Sequence, residues 1–584
     1  MHEIDCRPVE AVEFDSVRRV DGFENITVEY PAYLTDESKL SCRPFDHLFF
    51  PRSEAELAAV MKELARRGIK VTIAGARTGL VGGCVPNQGA LVSLENLDRV
   101  LALYYDVPAA EWRLKAQCAV NLRTIAAQLA VKSLPDIERC ADGMTLIEMD
   151  RFRQDPDFYF YPPDPTEMSA SLGGTVATNA SGARTFRHGP TRDWVRGIRV
   201  MLANGEFLDL PRGKYFASPG GEFTVTDSAG TDHKVRIPSY SPPRTKNTAG
   251  FFTAPHMDLV DLFIGSEGAF GIITDVTVGL LKRTPKVSVV QFLSSDEQAI
   301  ELVQALRADP RIRLDFLEMY SATAIDLLRE RQRRDAKSVG TPTIPEAARS
   351  ALFFELDFDP TSTAVAMEAL NAAVRGGGAS LTDSWAAYEN RELDRLKNFR
   401  HILPETINAI IAERKKRHPG LHKLGTDLAV PDERLGDMWA VYRDALAGAG
   451  LEWAAFGHIG NNHVHVNILP RDMADLEKAL EPGSAIIHEE IGTNLAANVK
   501  QERGSYAQAA AQADLVLKRK IHVDRCAGGA MENRGLVVEW NERNQEMTIW
   551  ATTQAPIPLR NSIASRLGLF ENQVRVITPM IGGG

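Results

Sequence analysis

Three histidines and three asparagines fall within Phe456-Gly-His-Ile-Gly-Asn-Asn-His-Val-His-Val-Asn467, in a chain of 584 residues with 13 histidines. The run His463-Val464-His465-Val466-Asn467 alternates polar and apolar residues with period two, which predicts a strand with its polar side chains on one face. His458, flanked by glycines, falls on the turn that feeds it. Imidazoles gathered in this way suit a divalent metal or an anionic substrate. A half-exposed strand bearing surface histidines is the plainer alternative. A metal needs a further ligand, usually a carboxylate or another histidine, and the motif itself supplies none.

Elements elsewhere must position this strand. From Leu48 the pattern becomes α/β. Pro51-Arg-Ser53 opens a helix, with Ser53 as N-cap and Glu56 as its capping-box partner. Leu57, Val60, Met61 and Leu64 form its apolar stripe, which ends at Gly68. A buried strand, Lys70–Ala74, runs into the glycine-rich loop Gly75–Gly83, and the strand Ala90–Leu94 closes the unit. Further glycine-rich regions are Tyr161–Pro165 through Ser171–Gly182, and Leu262–Thr274. Glycine lets backbone N–H groups turn toward a ligand and lets the chain approach it closely. Three such loops in one region, with side-chain donors Thr78, Thr178, Asn179 and Ser181, predict a site for an extended dinucleotide. None has the G-x-G-x-x-G spacing that opens a helix after a strand, so the Rossmann arrangement is a poor fit.

Residues 286 to about 470 alternate strand and helix without such loops. The strand Ser350–Leu356 followed by the helix Thr363–Val374 is an example, and the pattern predicts a separate α+β domain. Beyond about 484 lie further elements, including a hairpin of Gly535–Trp540 and Met547–Ala551. The length suggests roughly three to five domains. A net charge of -10 excludes a nucleic-acid surface as the main partner. The densest basic run, Arg329–Arg334, reads as a solvated helix face. Six scattered cysteines without a C-x-x-C pair exclude cysteine-held iron–sulfur and structural zinc sites, and reduced thiols point to the cytoplasm. No apolar run reaches membrane-spanning length, which leaves a peripheral membrane association open.

The ordered motifs Gly75-Ala-Arg-Thr-Gly79, Pro162-Pro-Asp-Pro165, Leu172-Gly-Gly174, Asn179-Ala-Ser-Gly182, Arg187-His-Gly189, Thr191-Arg-Asp193 and Gly265-Ser-Glu-Gly268 resemble the FAD-binding domain of the vanillyl-alcohol-oxidase superfamily. Within it, residues 40–475 are most similar to the FAD-linked D-lactate dehydrogenase, glycolate oxidase and D-2-hydroxyglutarate dehydrogenase group. The resemblance implies an α+β protein: a lead-in over 1–40, a two-part FAD-binding domain over 41–285, and a ferredoxin-like substrate or cap domain over 286–480. It implies FAD held by Gly75, Ala76, Arg77, Thr78, Gly79, Leu80, Pro163, Leu172, Gly173, Gly174, Thr178, Asn179, Ser181 and Gly182, with Glu267, Gly268, Gly271, Ile272 and Ile273 on the adenine side or flavin. Arg77 occupies the loop where relatives that tether flavin carry a histidine, so FAD is expected to be non-covalent.

On the substrate side, Phe399–Glu405 resembles the family's Arg-containing helix start, and His422-Lys-Leu-Gly-Thr-Asp427 its Lys-x-x-x-Asp strand. Arg400 and Lys423 would then clamp a substrate carboxylate, a task suited to a guanidinium and an ammonium. His458 and His465 match the family's two metal ligands, for a divalent metal such as zinc. Asn461, Asn462 and His463 stand where Asp, Gly and Asn are usual, and His463 joins Arg400 and Lys423 as the third candidate catalytic residue. The implied reaction is oxidation of a D-2-hydroxy acid, with hydride passing to flavin N5. The partners are a small 2-hydroxy acid and an electron acceptor that the sequence leaves open, as it leaves a homodimer.

The family supplies Glu-His-Gly about forty residues beyond the histidine strand, and this chain has no such segment; His488-Glu-Glu490 is the nearest approach. Residues 484–584 resemble instead part of the molybdenum-binding large subunit of xanthine dehydrogenase, aldehyde oxidase and carbon monoxide dehydrogenase. Ile487–Ala497, Ala530–Gly535, Thr552-Thr-Gln554 and Pro579–Gly584 carry that likeness. The last of these stops before the expected Phe-Gly, so an α/β fragment without a competent molybdopterin or iron–sulfur site is expected. The alternatives to a working dehydrogenase are a flavin-binding but catalytically impaired chimeric or truncated protein, and a molybdenum hydroxylase with a fused flavin domain.

Overall fold

The computed structural model describes residues 12–38, 40–140, 143–163, 167–237, 240–243, 245–248, 250–334, 340–357, 363–388, 390–480, 536–541, 546–551, 556–567 and 569–577. The chain divides into two compact units, Met1–Ala496 and Ala497–Gly584.

The first unit begins with a four-stranded sheet of β1 (Arg19–Asp21), β2 (His47–Phe49), β3 (Val71–Ala74) and β4 (Ala90–Ser93), in the order β1-β2-β4-β3. The helix Glu54–Arg66 buries Leu57, Val60, Met61 and Leu64 in the cluster that also holds Phe49, Ala90 and Val92. Its N-cap is as expected, with Glu56 N–H donating to Ser53 Oγ at 3.2 Å. The reciprocal bond differs. Glu56 accepts from the backbone N–H of Arg52 at 2.8 Å, because the Arg52 guanidinium, 2.7 Å away, draws the carboxylate upstream.

A six-stranded sheet follows: β5 (Val100–Asp106), β6 (Glu111–Gln117), β7 (Tyr159–Phe160), β8 (Val195–Met201), β9 (Phe207–Pro211) and, beyond the hairpin β10 (Glu222–Thr226) and β11 (Asp232–Arg236), β12 (Ile272–Lys282). Its order is β5-β6-β12-β8-β9, with β7 on the end of β12.

The third sheet contains β13 (Lys286–Leu293), β14 (Leu314–Tyr320), β15 (Ser350–Asp357), β16 (Ser384–Ala387), β17 (Leu424–Gly425), β18 (Leu428–Ala429), β19 (Trp453–Gly457) and β20 (His463–Ile468). Its first four strands run antiparallel in the order β16-β13-β15-β14. Helices Asp296–Ala308 and Thr363–Gly376 connect β13 to β14 and β15 to β16. That is the ferredoxin-like βαββαβ arrangement, with the helix Ala322–Arg334 inserted between its second and third strands. β19 and β20 extend the sheet past β14, and β17 and β18 both pair with β20.

Leu396, Phe399, Leu403, Ile407 and Ile411 form the buried stripe of the helix Asn390–Lys415, packed in one cluster with Phe316, Tyr320 and Phe353 of the sheet. Arg400 therefore lies within a helix and not at a helix start. Pro404 is interior to the helix, and its missing N–H removes the intrahelical partner of the Arg400 carbonyl. In the basic run, Arg331, Arg333 and Arg334 are exposed as expected, but Arg329 folds back to donate to the carbonyls of Pro345 and Ala348.

In the second unit, β21 (Leu536–Asn541) and β22 (Glu546–Ala551) form the expected hairpin. The helix Pro556–Leu567 then crosses to β23 (Val574–Ile577), which is parallel to β22, and Ile549, Ala551, Ala564 and Val574 are buried together. Gln554, His488-Glu-Glu490 and Pro579–Gly584 lie outside the described residues. Among the described residues no helix is long and apolar enough to cross a membrane.

Candidate active site

The three glycine-rich loops meet. Ser171 Oγ accepts from Ala76 N–H at 3.4 Å, joining the first loop to the second. A Cβ on Gly75 or Gly174 would lie 2.8 or 2.7 Å from that same oxygen, and one on Gly173 would lie 2.5 Å from Cys118 Cβ. A Cβ on Gly265 would reach Asn179 at 3.2 Å, and one on Gly83 would reach Glu267 at 3.4 Å, which brings the third loop against the other two. Asn179 and Glu267 have φ of 47° and 51°, and Arg77 has φ of 58° with its guanidinium 4.0 Å from the Tyr33 ring. Backbone packed this closely has room for a ligand only because side chains are missing. Leu80 is 76% exposed in the first loop. Thr78, Gly79, Gly268 and Thr178 line the exposed or half-buried part of these loops, with Ser181 and Gly271 half-buried. Pro163, Leu172, Gly182, Ile272 and Ile273 are buried; both isoleucines belong to β12 and pack in the core.

The histidines meet on the other side. β19 pairs with β14, setting Gly457 opposite Met319 and Phe456 opposite Tyr320, so His458 emerges beside Glu318. His458 Nδ1 lies 3.3 Å from Glu318 Oε1. Arg400 reaches the same oxygen from its helix, with Nε and Nη2 each 3.1 Å away. The turn into β20 is fixed by Asn462, whose φ of 52° is one that asparagine tolerates better than most residues. Its side chain accepts from Arg307 Nη1 at 2.7 Å and donates to Asp432 at 2.6 Å. Asparagine thus stands where the family pattern has glycine, and its own bonds hold the turn. His463 and His465 share a face of β20, with ring centroids 4.6 Å apart. His463 Nε2 hydrogen-bonds Asp427, and His465 Nδ1 lies 3.3 Å from Asp427 Oδ1. Lys423 sits just before β17 and, among the described residues, joins none of these contacts.

Residues 45–135 and 140–211 match the FAD binding domain family. Residues 282–494 match the FAD linked oxidases, C-terminal domain family, and 487–584 the molybdopterin cofactor-binding domain family. The chain is 26% identical over 427 residues to D-2-hydroxyglutarate dehydrogenase of Xanthomonas citri pv. viticola, covering 72% of each chain. It is 26% identical over 443 residues to D-lactate dehydrogenase of Anaerostipes hadrus, covering 73% of this chain and 74% of that one. It is 24% identical over 462 residues to a glycolate oxidase subunit of Bacillus subtilis, covering 76% and 80%. The chain is an FAD-linked oxidoreductase, and its relatives carry the names D-2-hydroxyglutarate dehydrogenase, D-lactate dehydrogenase and glycolate oxidase subunit.

Two residues of this oxidoreductase that the sequence did not single out, Glu318 and Lys246, stand beside the histidines. Glu318 is a carboxylate inside the fully buried strand β14, and that is the signal that could have found it. Burial would raise its pKa, but the Arg400 charge and His458 more than offset this and hold it down at about 2. Lys246 follows the β10–β11 hairpin in a stretch without periodicity, and nothing local marks it. Burial lowers its ammonium to about 8 against the charges of Asp427 and Glu318. Burial also lowers His458 to about 4, with Glu318 opposing and Lys246 reinforcing the shift. His463 is pushed down for the same reason, against the pull of Asp427, whereas hydrogen bonds from His463 and His465 hold Asp427 well below the usual carboxylate range. The pair is therefore an ionised carboxylate accepting from a neutral imidazole. Burial of its ammonium end lowers Lys423 as well.

Proposed function

We propose that this oxidoreductase oxidises a small D-2-hydroxy acid, of the D-lactate, glycolate or D-2-hydroxyglutarate class, to the 2-oxo acid. The observation that carries the reading is the convergence of Arg400, Lys246 and three imidazoles around the ionised Glu318 and Asp427, in a chain whose relatives bear those substrates' names. FAD, which the glycine loops would hold non-covalently, would supply a two-electron acceptor for the hydride from the substrate Cα.

Arg400 and Lys423 take the substrate carboxylate. Glu318 fixes the Arg400 guanidinium in orientation, so its ordering precedes substrate binding. The hydroxyl proton needs an unprotonated base. His458, neutral above about pH 4 and set against Glu318, is one. His463 is the other, tethered through Nε2 to Asp427 with its Nδ1 buried and, among the described residues, without a hydrogen-bond partner. An imidazole oriented by a carboxylate on one nitrogen is prepared to accept a proton on the other.

Anaerobic addition of D-lactate, D-2-hydroxyglutarate or glycolate to the purified flavoprotein should bleach the visible flavin absorption. Arg400→Met should slow the bleaching on the order of a hundredfold, the loss expected when a preorganised charge contact is removed. Bound flavin that no D-2-hydroxy acid bleaches would defeat this reading and favour a flavin-binding protein without turnover, in keeping with the absent Glu-His segment.

A further inference from the structure

The first glycine loop is held by a part of the chain that lies ahead of the segment matched to the FAD binding domain family, which begins at residue 45. Residues 12–38 add β1 to the edge of the first sheet. It pairs antiparallel with β2, setting Arg19 opposite Phe49 and Asp21 opposite His47. The helix Phe23–Glu29 and the turn Pro31–Tyr33 then carry the chain to the loop that follows β3. Ile26 and Tyr33 are buried with Phe45, Leu48 and Phe50, so core packing fixes this path.

Contact is made at both ends of the loop. At its start the Arg77 guanidinium lies over the Tyr33 ring, 4.0 Å from the centre, and the Arg77 carbonyl accepts from Glu37 N–H at 3.3 Å. At its far end a Cβ on Gly82 would lie 2.6 Å from Leu40 Cδ1, and Cys84 Sγ donates to Asp36 Oδ2 at 3.6 Å. Burial and the Asp36 charge push the Cys84 thiol up to about 11, so it keeps the proton it donates. Between these ends Gly79, Leu80 and Val81 are exposed. The loop is clamped at its ends and open in its middle.

Tyr33 is itself fixed. Its hydroxyl donates to Glu95 and meets Ser93 Oγ at 3.1 Å, and its ring packs edge-on against Phe50 with centroids 5.6 Å apart. Burial raises its pKa, so the phenol stays neutral. The ring therefore presents a fixed, electron-rich face to the guanidinium. Arg77 has φ of 58°, a conformation that is costly for a residue with a side chain and persists where its surroundings enforce it. The ring contact and the carbonyl bond supply that enforcement. A left-handed residue in such a turn lets successive backbone N–H groups point to one side, and concavities of this kind bind phosphate anions.

We propose that Tyr33 is a positioning residue for FAD: acting through Arg77, it holds the first glycine loop in the shape that presents its backbone donors to the cofactor's diphosphate. The flavin site then includes a segment ahead of the matched domain, and the Arg77 side chain has a conformational task. This rests on the reading that the glycine loops hold FAD, and it is independent of which hydroxy acid is oxidised.

The test is an FAD titration of the full-length protein after its flavin has been removed, followed by the change in flavin absorption. Tyr33→Leu keeps apolar bulk but loses the aromatic face, and should weaken FAD binding about tenfold. Tyr33→Phe keeps the face and loses only the hydroxyl bonds, and should stay within about threefold of wild type. In an Arg77→Met background, Tyr33→Leu should add less than about twofold, because the contact through which it acts is already gone. A merely structural tyrosine would weaken binding equally in both backgrounds, and that result would overturn the proposal. Wild-type affinity in Tyr33→Leu would overturn it too. Glu37 is exposed, so Glu37→Pro, which deletes the N–H bonded to the Arg77 carbonyl, keeps the test open if Tyr33→Leu folds poorly. It should weaken binding about fivefold by releasing the strained residue, and an unchanged affinity would again overturn the proposal. Wild-type protein that takes up no FAD would instead defeat the assignment of these loops to flavin, so the two failures are read from different samples.

Discussion

β14 carries two buried carboxylates with opposite surroundings. Asp315 meets Arg187 and Lys286, which also engage Asp357, so two cations face two anions. Glu318 meets Arg400 and His458, beyond which lie His463, His465 and a lysine of lowered pKa. The first cluster is charge-balanced and structural: Arg187 comes from the short helix Thr185–His188 that follows the second glycine loop, so it pins the flavin-binding part to the substrate sheet. The second keeps groups with something still to bind. Burial of charge is common to both, and what separates them is whether the protein's own partners use up the capacity of the buried groups.

That contrast can be broken from either side. The largest effect is expected for Asp315→Ala, which leaves Arg187 and Lys286 to share Asp357. Removing one partner of a buried pair costs about 3–5 kcal/mol, read as a lower urea midpoint with an unchanged slope. A loss below about 1 kcal/mol, the range of exposed ion pairs, would mean the cluster is screened by solvent and the contrast is wrong.

Next comes pH. His458 has a folded pKa of about 4 against an ordinary 6.5, so between these values the unfolded chain binds the proton and the folded one does not. Stability should therefore be full above about pH 6.5 and fall by about 3 kcal/mol as pH drops to 4, since one bound proton costs about 1.4 kcal/mol for each tenfold rise in acidity. Glu318 and Asp357, both held at about 2 from ordinary values of 4.5 and 3.8, lose their contributions only at lower pH. Chelator-treated His458→Gln should lack the upper part of the acid slope and keep the lower part. An unchanged slope above pH 4 would remove His458 from the cluster's energetics.

The smallest effect is expected for Gly457→Ala. Gly457 has φ of 121°, and a Cβ there would lie 2.7 Å from His465 Cδ2. A strained backbone position of this kind costs of order 1–3 kcal/mol. Thermal unfolding should register it as a lower midpoint, because the added Cβ meets the His465 ring.

Much of this was legible from local pattern. The period-two run placed His463 and His465 on one face, Ser53 capped its helix, and the three glycine loops marked one site. The ferredoxin-like part was legible through family resemblance, and the strand order bears it out. Arg400 was legible as a residue but not in its place, since the resemblance put it at a helix start while it lies inside a long helix whose apolar stripe holds it in register. Glu318 and Lys246 were missed because each acts through neighbours distant in sequence.

The sequence by itself determined which residue types are available and which face of each element they occupy, since side-chain direction follows from helix and strand periodicity. It also determined that three backbone segments can approach a ligand closely, because they lack side chains. Only the tertiary structure decided the partners. Asp427 meets His465 through the register of β17 and β18 on β20, and His458 meets Glu318 through the pairing of β19 with β14. Registers of this kind are set by packing across the whole sheet. No spacing within the histidine motif could have shown which carboxylate each imidazole would find.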